Sequence, residues 1–263
     1  MVSSEFGIPK IVLNPRRFEG QVAVITGSAQ GIGQVVATLF AEQGARVVLL
    51  DINIEKLEEV KRTLVGRGLE ALFEVCDLTD EDQVHRTVDA IVKLNGRIDI
   101  FAHVAGIYPA KPLLETTTLE YRKIFQVNMD SCFFLTQAVL PYMQKRGYGR
   151  IINTASTTIV KPEPGLSVYV ASKSAVAGFT KATATEAGPG VTANCVSPTL
   201  TVTETTLGFE HTSAAFEPYV NLQCVKRSCL PQDVAHAIMY LASPEAEFIT
   251  GQVFGIGGGS FFA

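Results

Sequence analysis

Val22-Ala23-Val24-Ile25-Thr26-Gly27-Ser28-Ala29-Gln30-Gly31-Ile32-Gly33 is the stretch whose reading decides the fold. Its four leading apolar residues read as a buried strand, its glycines as a tight turn, and the following run from Gln34 to Gln43 as a helix. A helix start beyond such a turn offers free backbone N–H groups to an anion, and the helix dipole favours negative charge there. Gly27, Gly31 and Gly33 let backbone approach a phosphate and the strand closely; Ser28, Gln30 and Ile32 fill the turn between them. The spacing is G-x-x-x-G-x-G, not G-x-G-x-x-G, and by itself it is equally compatible with a plain turn. The chain on either side has to decide.

Arg46 to Asp51 is the next short apolar run and reads as a buried parallel strand. It ends in an acid, 18 residues after Gly33. In a dinucleotide fold, Asp51 accepts hydrogen bonds from the adenosine ribose hydroxyls and repels a 2′-phosphate, which favours NAD over NADP. Ile52 follows it, and no arginine is there to hold a phosphate. The competing reading is that Asp51 caps the helix from Ile54 to Leu64.

The alternation continues to the end of the chain. Strands are expected at Glu70 to Cys76, Ile98 to Val104, Gly149 to Ala155, Thr192 to Val196 and Gln252 to Ile256. Helices are expected at Asp80 to Leu94, Leu119 to Val127, Ser131 to Lys145, Ser167 to Ala187 and Gln232 to Leu241, and an irregular loop at Thr199 to Leu230. Such alternation implies an α/β fold: a doubly wound parallel sheet with helices on both faces. Ligands then sit beyond the carboxyl ends of the strands, where the strand order reverses.

Tyr169 and Lys173 are four residues apart and share a helix face, and Ser156 closes the preceding strand. A phenol of ordinary pKa, about 10, is a poor base near neutrality. A nearby ammonium and an oxidised nicotinamide ring would favour its phenolate. Tyr169 could then exchange a proton with an alcohol or carbonyl oxygen that Ser156 holds. A Tyr-x-x-x-Lys pair or a serine at a strand end means little alone; their conjunction with the glycine turn, in this order, carries the argument.

Composition sets the remaining bounds. The 263 residues are 47% hydrophobic and 18% charged, with net charge −4, which suits a large globular core and argues against nucleic-acid binding. Five scattered cysteines form no C-x-x-C, so neither zinc nor a disulfide framework is indicated and a reducing, cytoplasmic setting is expected. No apolar run is long enough for a membrane span, and residues 1–18 lack a signal peptide's apolar centre and read as an irregular arm.

Thr26-Gly27 with Gly31-Ile32-Gly33, Asp51, Asp77, Asn128, Ser156, Tyr169-x-x-x-Lys173 and Gly257-Gly258-Gly259 together resemble the classical short-chain dehydrogenase/reductase family. The likeness covers about Phe18 to Gly259. It implies one Rossmann-type domain of about seven strands, residues 19–263, with 199–230 as a substrate lid. It implies that Tyr169 is the general acid/base, that Lys173 holds the nicotinamide ribose, that Ser156 meets the substrate oxygen, and that Asn128 supports a water relay to the lysine. Further cofactor contacts are implied at Ile32, at Asp77 and Leu78 beside adenine, at the backbone of Val104, Ala105 and Gly106, and at Pro198, Thr199, Thr201 and Thr203 beyond the sixth strand.

Three departures are visible: the segment Glu186 to Asn194 is a residue shorter than the family's usual one, and two motifs change. The family's Asn-Asn-Ala-Gly is His103-Val104-Ala105-Gly106 here, and its Pro-Gly after the sixth strand is Pro198-Thr199. His103 reads as a structural strand-end histidine, and less bracing of the sheet is expected around it. Leu200, Leu207, Phe209, Phe216, Tyr219 and Leu222 give the lid an apolar character. The expected reaction is NAD(H)-dependent interconversion of a secondary alcohol and a ketone on a hydrophobic, alicyclic or secondary-metabolite molecule. An imine or enone reductase and a non-catalytic dinucleotide sensor are the alternatives. By resemblance the chain forms a homotetramer or homodimer; no metal, nucleic-acid or membrane partner is expected.

Overall fold

The computed structural model describes residues 16–262. The expected arm therefore lies outside the described residues except for its last three. Of these, Phe18 belongs to the core: it is fully buried, edge-on to Phe40 at 4.9 Å between ring centroids. Burying an aromatic side chain of this size stabilises by about 1.5–3 kcal/mol.

The strands are β1 (Val22–Thr26), β2 (Arg46–Asp51), β3 (Ala71–Val75), β4 (Ile100–His103), β5 (Gly149–Thr154), β6 (Val191–Pro198) and β7 (Val253–Ile256). They form one parallel sheet in the order β3-β2-β1-β4-β5-β6-β7. β1, β5 and β6 are buried along their whole length, as parallel strands sandwiched between helices must be. The strand order reverses between β1 and β4, which opens a crevice at their carboxyl ends.

The helices are α1 (Gly31–Glu42), α2 (Ile54–Gly66), α3 (Glu81–Asn95), α4 (Thr118–Phe125), α5 (Ser131–Arg146), α6 (Ser167–Glu186), α7 (Glu204–Gly208), α8 (Glu210–Ser213), α9 (Phe216–Leu222) and α10 (Pro231–Ala242). The two-residue period of β2 distributes its side chains. Val47 and Leu49 join the core with α1, α2 and α10, and Val48 and Leu50 join the core with α3 and α5.

Two stretches differ from the sequence reading. The expected loop from Thr199 to Leu230 contains α7, α8 and α9. These are too short for a 3.6-residue apolar pattern to show, and α7 is nucleated by a local cap: Thr203 Oγ1 accepts from the Thr206 N–H at 3.1 Å. The helices expected on either side of residue 128 are continuous through a π-helical turn, Gln126–Asp130. That turn adds a residue to the helical cycle and keeps the chain helical where the apolar pattern breaks.

Candidate active site

The glycine turn leads into a helix start that is open to an anion. Gln30, at the N-cap of α1, makes no side-chain cap bond, and the first turn holds no acid. By contrast α2 and α3 are capped by Asn53 and Asp80 and carry acids in their first turns. The N–H groups at the start of α1 are thus left for another acceptor. A side chain on Gly33 would begin 2.2 Å from the Gly27 carbonyl oxygen, so only glycine fits. Buried Ser28 turns its hydroxyl to the Leu50 carbonyl at 3.3 Å, and Ile32 is half-buried in the first turn.

Asp51 stands beside this turn. Its carboxylate accepts from the N–H groups of Ala29 at 3.2 Å, Ile52 at 2.8 Å and Asn53 at 3.1 Å. It does not cap α2; Asn53 does, accepting from the Lys56 N–H at 3.0 Å. The Ile52 side chain points outward and is exposed. Across the crevice wall, Asp77 accepts from the N–H and hydroxyl of Thr79, which hold its carboxyl below the usual range, and Leu78 beside it is buried.

β4 ends on the other side of the crevice. The N–H groups of Val104 and Ala105 both donate to Thr26 Oγ1, at 3.0 and 3.1 Å. Thr26 therefore ties β4 to β1, and the bracing expected to weaken with His103 is present. Gly106 comes next, and a side chain there would begin 3.1 Å from both Asn128 Oδ1 and Lys173 Nζ.

The four candidate catalytic residues come from three elements, and two of them, Asn128 and Lys173, meet at this point. Ser156 follows β5 and is buried; its Oγ accepts from the Thr158 hydroxyl at 3.0 Å, and its hydroxyl favours the Tyr169 phenolate. Tyr169 and Lys173 lie on successive turns of α6. Lys173 is buried, and its Nζ donates to the Thr154 carbonyl at 2.8 Å. Asn128 is buried in the π-turn. Its Oδ1 accepts from the Ile107 N–H at 2.8 Å, and its Nδ2 donates to the Ile107 carbonyl at 2.9 Å and to Ser172 Oγ at 3.0 Å. Ser172 in turn donates to the Tyr169 carbonyl at 2.7 Å.

The electrostatics qualify the expectation for Tyr169. Burial pushes its phenol up, the Ser156 hydroxyl pulls it down, and Tyr108 adds a small upward push. The Lys173 ammonium itself is directed at the Thr154 carbonyl. Burial lowers Lys173 itself to about 8.

The lid begins at the end of β6, whose last residue is Pro198. The Thr199 N–H donates to the Ile256 carbonyl at 3.1 Å, and Thr201 Oγ1 donates to the Thr199 carbonyl at 2.8 Å. The Thr203 methyl group lies 3.4 Å from where a side chain on Gly31 would start, so the lid's first turn rests on the cradle. Gln30 donates to Thr205 Oγ1 at 3.1 Å, and Lys56 reaches both Gln30 Oε1 at 2.6 Å and Glu204 at 3.2 Å. Tyr219 donates its hydroxyl to Glu163, and the Tyr108 ring stands edge-on to Tyr169 and Phe209. At the far end the N–H groups of Cys224 and Val225 both donate to the Gly258 carbonyl, so the closing glycines anchor the lid. Beside Tyr169 is a cavity of about 160 Å³ lined by Pro109, Lys111, Thr116, Glu120 and Val168.

A family model described as enoyl-(acyl carrier protein) reductase matches residues 27–260. The 3-oxoacyl-[acyl-carrier-protein] reductase FabG of Thermotoga maritima is 36% identical over 92% of this chain and 98% of its own. A cyclopentanol dehydrogenase of Comamonas testosteroni is 33% identical over 92% of this chain and 98% of its own. A short-chain type dehydrogenase/reductase structure from Mycobacterium ulcerans superposes with TM-score 0.86 and 27% identity, covering 92% of this chain and 90% of the other. The chain belongs to the short-chain dehydrogenase/reductase family.

That membership makes it an oxidoreductase of a family that uses nicotinamide dinucleotides. The cradle, with its uncapped helix start and closely packed Gly33, suits such a cofactor's pyrophosphate. Several residues that shape this dehydrogenase/reductase site went unread in the sequence. Ser172 lies between Tyr169 and Lys173, in view there; Lys56, Ser131 and the pairing of Tyr219 with Glu163 meet the site only through long-range contacts. Among the described residues there is no cluster able to hold a metal, and no helix long and apolar enough to cross a membrane.

Proposed function

We propose that the protein interconverts a secondary alcohol and a ketone on a hydrophobic, alicyclic or secondary-metabolite small molecule, with NAD(H) as cofactor. The observation that carries this reading is the meeting of Lys173 and Asn128 at Gly106, one helical turn from Tyr169, whose phenolate the Ser156 hydroxyl favours. In this reading Ser156 holds the substrate oxygen. Tyr169 gives that oxygen a proton during reduction, or takes one during oxidation. Lys173, a buried ammonium beside Gly106, would orient the ribose, and Asn128 would support a water relay to it that replenishes the proton. When bound beside these residues, a nicotinamide would supply or accept the hydride.

Asp51 supports NAD, because its carboxylate flanks the cradle where a 2′-phosphate would come. Backbone at Val104, Ala105 and Gly106, with Asp77 and Leu78, would line the cofactor; Pro198, Thr199, Thr201 and Thr203 would close over its nicotinamide end. Tyr108 and Phe209 supply aromatic surface beside Tyr169, which suits an alicyclic substrate, and a relative named for cyclopentanol points the same way. The description of the matched family model keeps an enone reductase as the second reading, which product analysis separates. Assembly as a homotetramer or homodimer through α5 and α6 is supported by partly exposed Phe133, packed on Phe179 at 6.0 Å between centroids. Its unpaired thiols among the described residues suit a cytoplasmic protein.

The deciding experiment is Tyr169→Phe, read by absorbance of the reduced nicotinamide. Turnover should fall by roughly a hundredfold or more while cofactor binding persists. Undiminished turnover would remove the mechanism.

A further inference from the structure

β4 ends on His103, whose ring is fully buried. Its Nε2 lies 2.9 Å from Ser131 Oγ. The Ser131 hydroxyl has one proton, directed at the Val127 carbonyl oxygen at 2.6 Å. Ser131 Oγ can therefore only accept from the ring, so His103 carries its proton on Nε2. Nδ1 is then a bare acceptor, with no partner among the described residues.

Ser131 closes the π-turn. Its N–H bonds the Gln126 carbonyl five residues back, and its hydroxyl bonds the Val127 carbonyl four residues back. A π-turn is a rare, single-turn departure that needs something to hold it open. Here two groups of one segment do so: His103 through Ser131, and Ile107 through the Asn128 amide. Tightening to an α-turn would swing Asn128 by roughly 100°, the rotation per residue of an α-helix, and away from Ile107 and Ser172. Ser172 bonds the Tyr169 carbonyl, so the disturbance would reach the turn that bears Tyr169 and Lys173.

We propose that His103 is a positioning residue: by donating to Ser131 it holds the π-turn that sets Asn128, and through Asn128 the Tyr169–Lys173 turn. The effect on turnover rests on the alcohol–ketone reading above; the hold on Asn128 does not.

The test compares His103→Leu, His103→Gln, Ser131→Ala and the Leu/Ala double variant. Leucine fills space without donating, whereas the glutamine amide restores a donor near the Nε2 position. His103→Leu and Ser131→Ala should each lower kcat roughly tenfold or more, with the cofactor KM changed less than about twofold. The double variant should lose no more than either single one, because both cut the same chain of bonds. The titration limb of the pH profile should move alike in both singles, and His103→Gln should keep kcat within about threefold of the parent. A merely structural histidine would lower the melting temperature and leave kcat and the limb in place.

Hydrogen exchange of the Asn128 side-chain amide gives a readout without turnover. Its protons, bonded to Ile107 and Ser172, should lose protection in His103→Leu and keep it in His103→Gln. Retained protection in His103→Leu, multiplying losses in the double variant, or equal damage from Leu and Gln would overturn the proposal. If the parent protein transferred no hydride at all, the reaction reading would fall, and exchange alone would decide the hold of His103 on Asn128.

Discussion

The Lys173 ammonium donates to the Thr154 carbonyl at 2.8 Å, from a position only 3% exposed. One backbone acceptor does not replace the hydration of a buried charge, so burial lowers the group from 10.5 to about 8. Below about pH 8 both folded and unfolded chains carry the proton, and the folded state bears the full cost of the buried charge. Between about 8 and 10.5 the unfolded chain binds more protons than the folded one, so stability from this residue rises with pH. The cost at neutral pH is on the order of a few kcal/mol. Lys173→Met should therefore be inactive, yet lose little stability or gain some at pH 7. Its advantage over the parent should shrink as pH rises past 8, as urea titrations at pH 7, 8 and 9 (about one-unit steps) would measure. An advantage that grew with pH would contradict the argument.

His103 gives the opposite window. Full burial, with the Lys173 charge nearby, lowers it from 6.5 to about 3. Its contribution to stability is complete above 6.5 and is lost as pH falls toward 3, because the unfolded chain takes up the proton first. His103→Gln lacks that proton site. The stability of the parent relative to this variant should fall by up to about 1.4 kcal/mol per pH unit as acid is added below pH 6.5. A difference independent of pH would show that the ring titrates normally.

Much of this was readable before any coordinate. Apolar runs such as Val47 to Leu50 mark strands buried on both faces, and their alternation with helices leaves few topologies. The glycine turn, Asp51, Ser156, Tyr169 and Lys173 lie at strand ends or on one helix face, where sequence spacing reports position directly. What escaped depends on distance in the chain. Lys56 meets Glu204 across 148 residues and Tyr219 meets Glu163 across 56, pairings that no local pattern encodes. The π-turn escaped because a single added residue leaves no periodicity to detect, and the lid helices because they are too short for one. Phe18, read as the end of an arm, is held by burial that only its partner Phe40 reveals.

Gly33 offers a direct test of the cradle. A Cβ there would stand 2.2 Å from the Gly27 carbonyl oxygen and 2.6 Å from its carbon, both backbone atoms that cannot swing aside. Gly33→Ala should cost a few kcal/mol and abolish cofactor binding. Gly66, the last residue of α2, has nothing within 4 Å of its would-be Cβ. Gly66→Ala should leave binding intact and gain up to about 1 kcal/mol from helix propensity. Thermal melts and cofactor titration of the two variants check both signs; an unharmed Gly33→Ala would mean that the turn is looser than its contacts require.

Asp51 and Lys56 set opposing charges at the adenosine side of the cradle. The Asp51 carboxylate is fixed by three backbone N–H groups, while Lys56 Nζ approaches Gln30 Oε1 at 2.6 Å. With the carboxylate in place, a 2′-phosphate would meet a like charge; with it gone, the nearest charged group of this pair is a cation. Asp51→Ala should raise the ratio of kcat/KM for NADP over NAD by about tenfold or more, equivalent to about 1.4 kcal/mol. Adding Lys56→Met should return part of that gain, because the attraction left behind is the lysine's. Steady-state kinetics with both cofactors measure the two ratios. Equal use of NAD and NADP by the unaltered protein would refute the role given to Asp51, and a gain untouched by Lys56→Met would show that repulsion by the carboxylate acts alone.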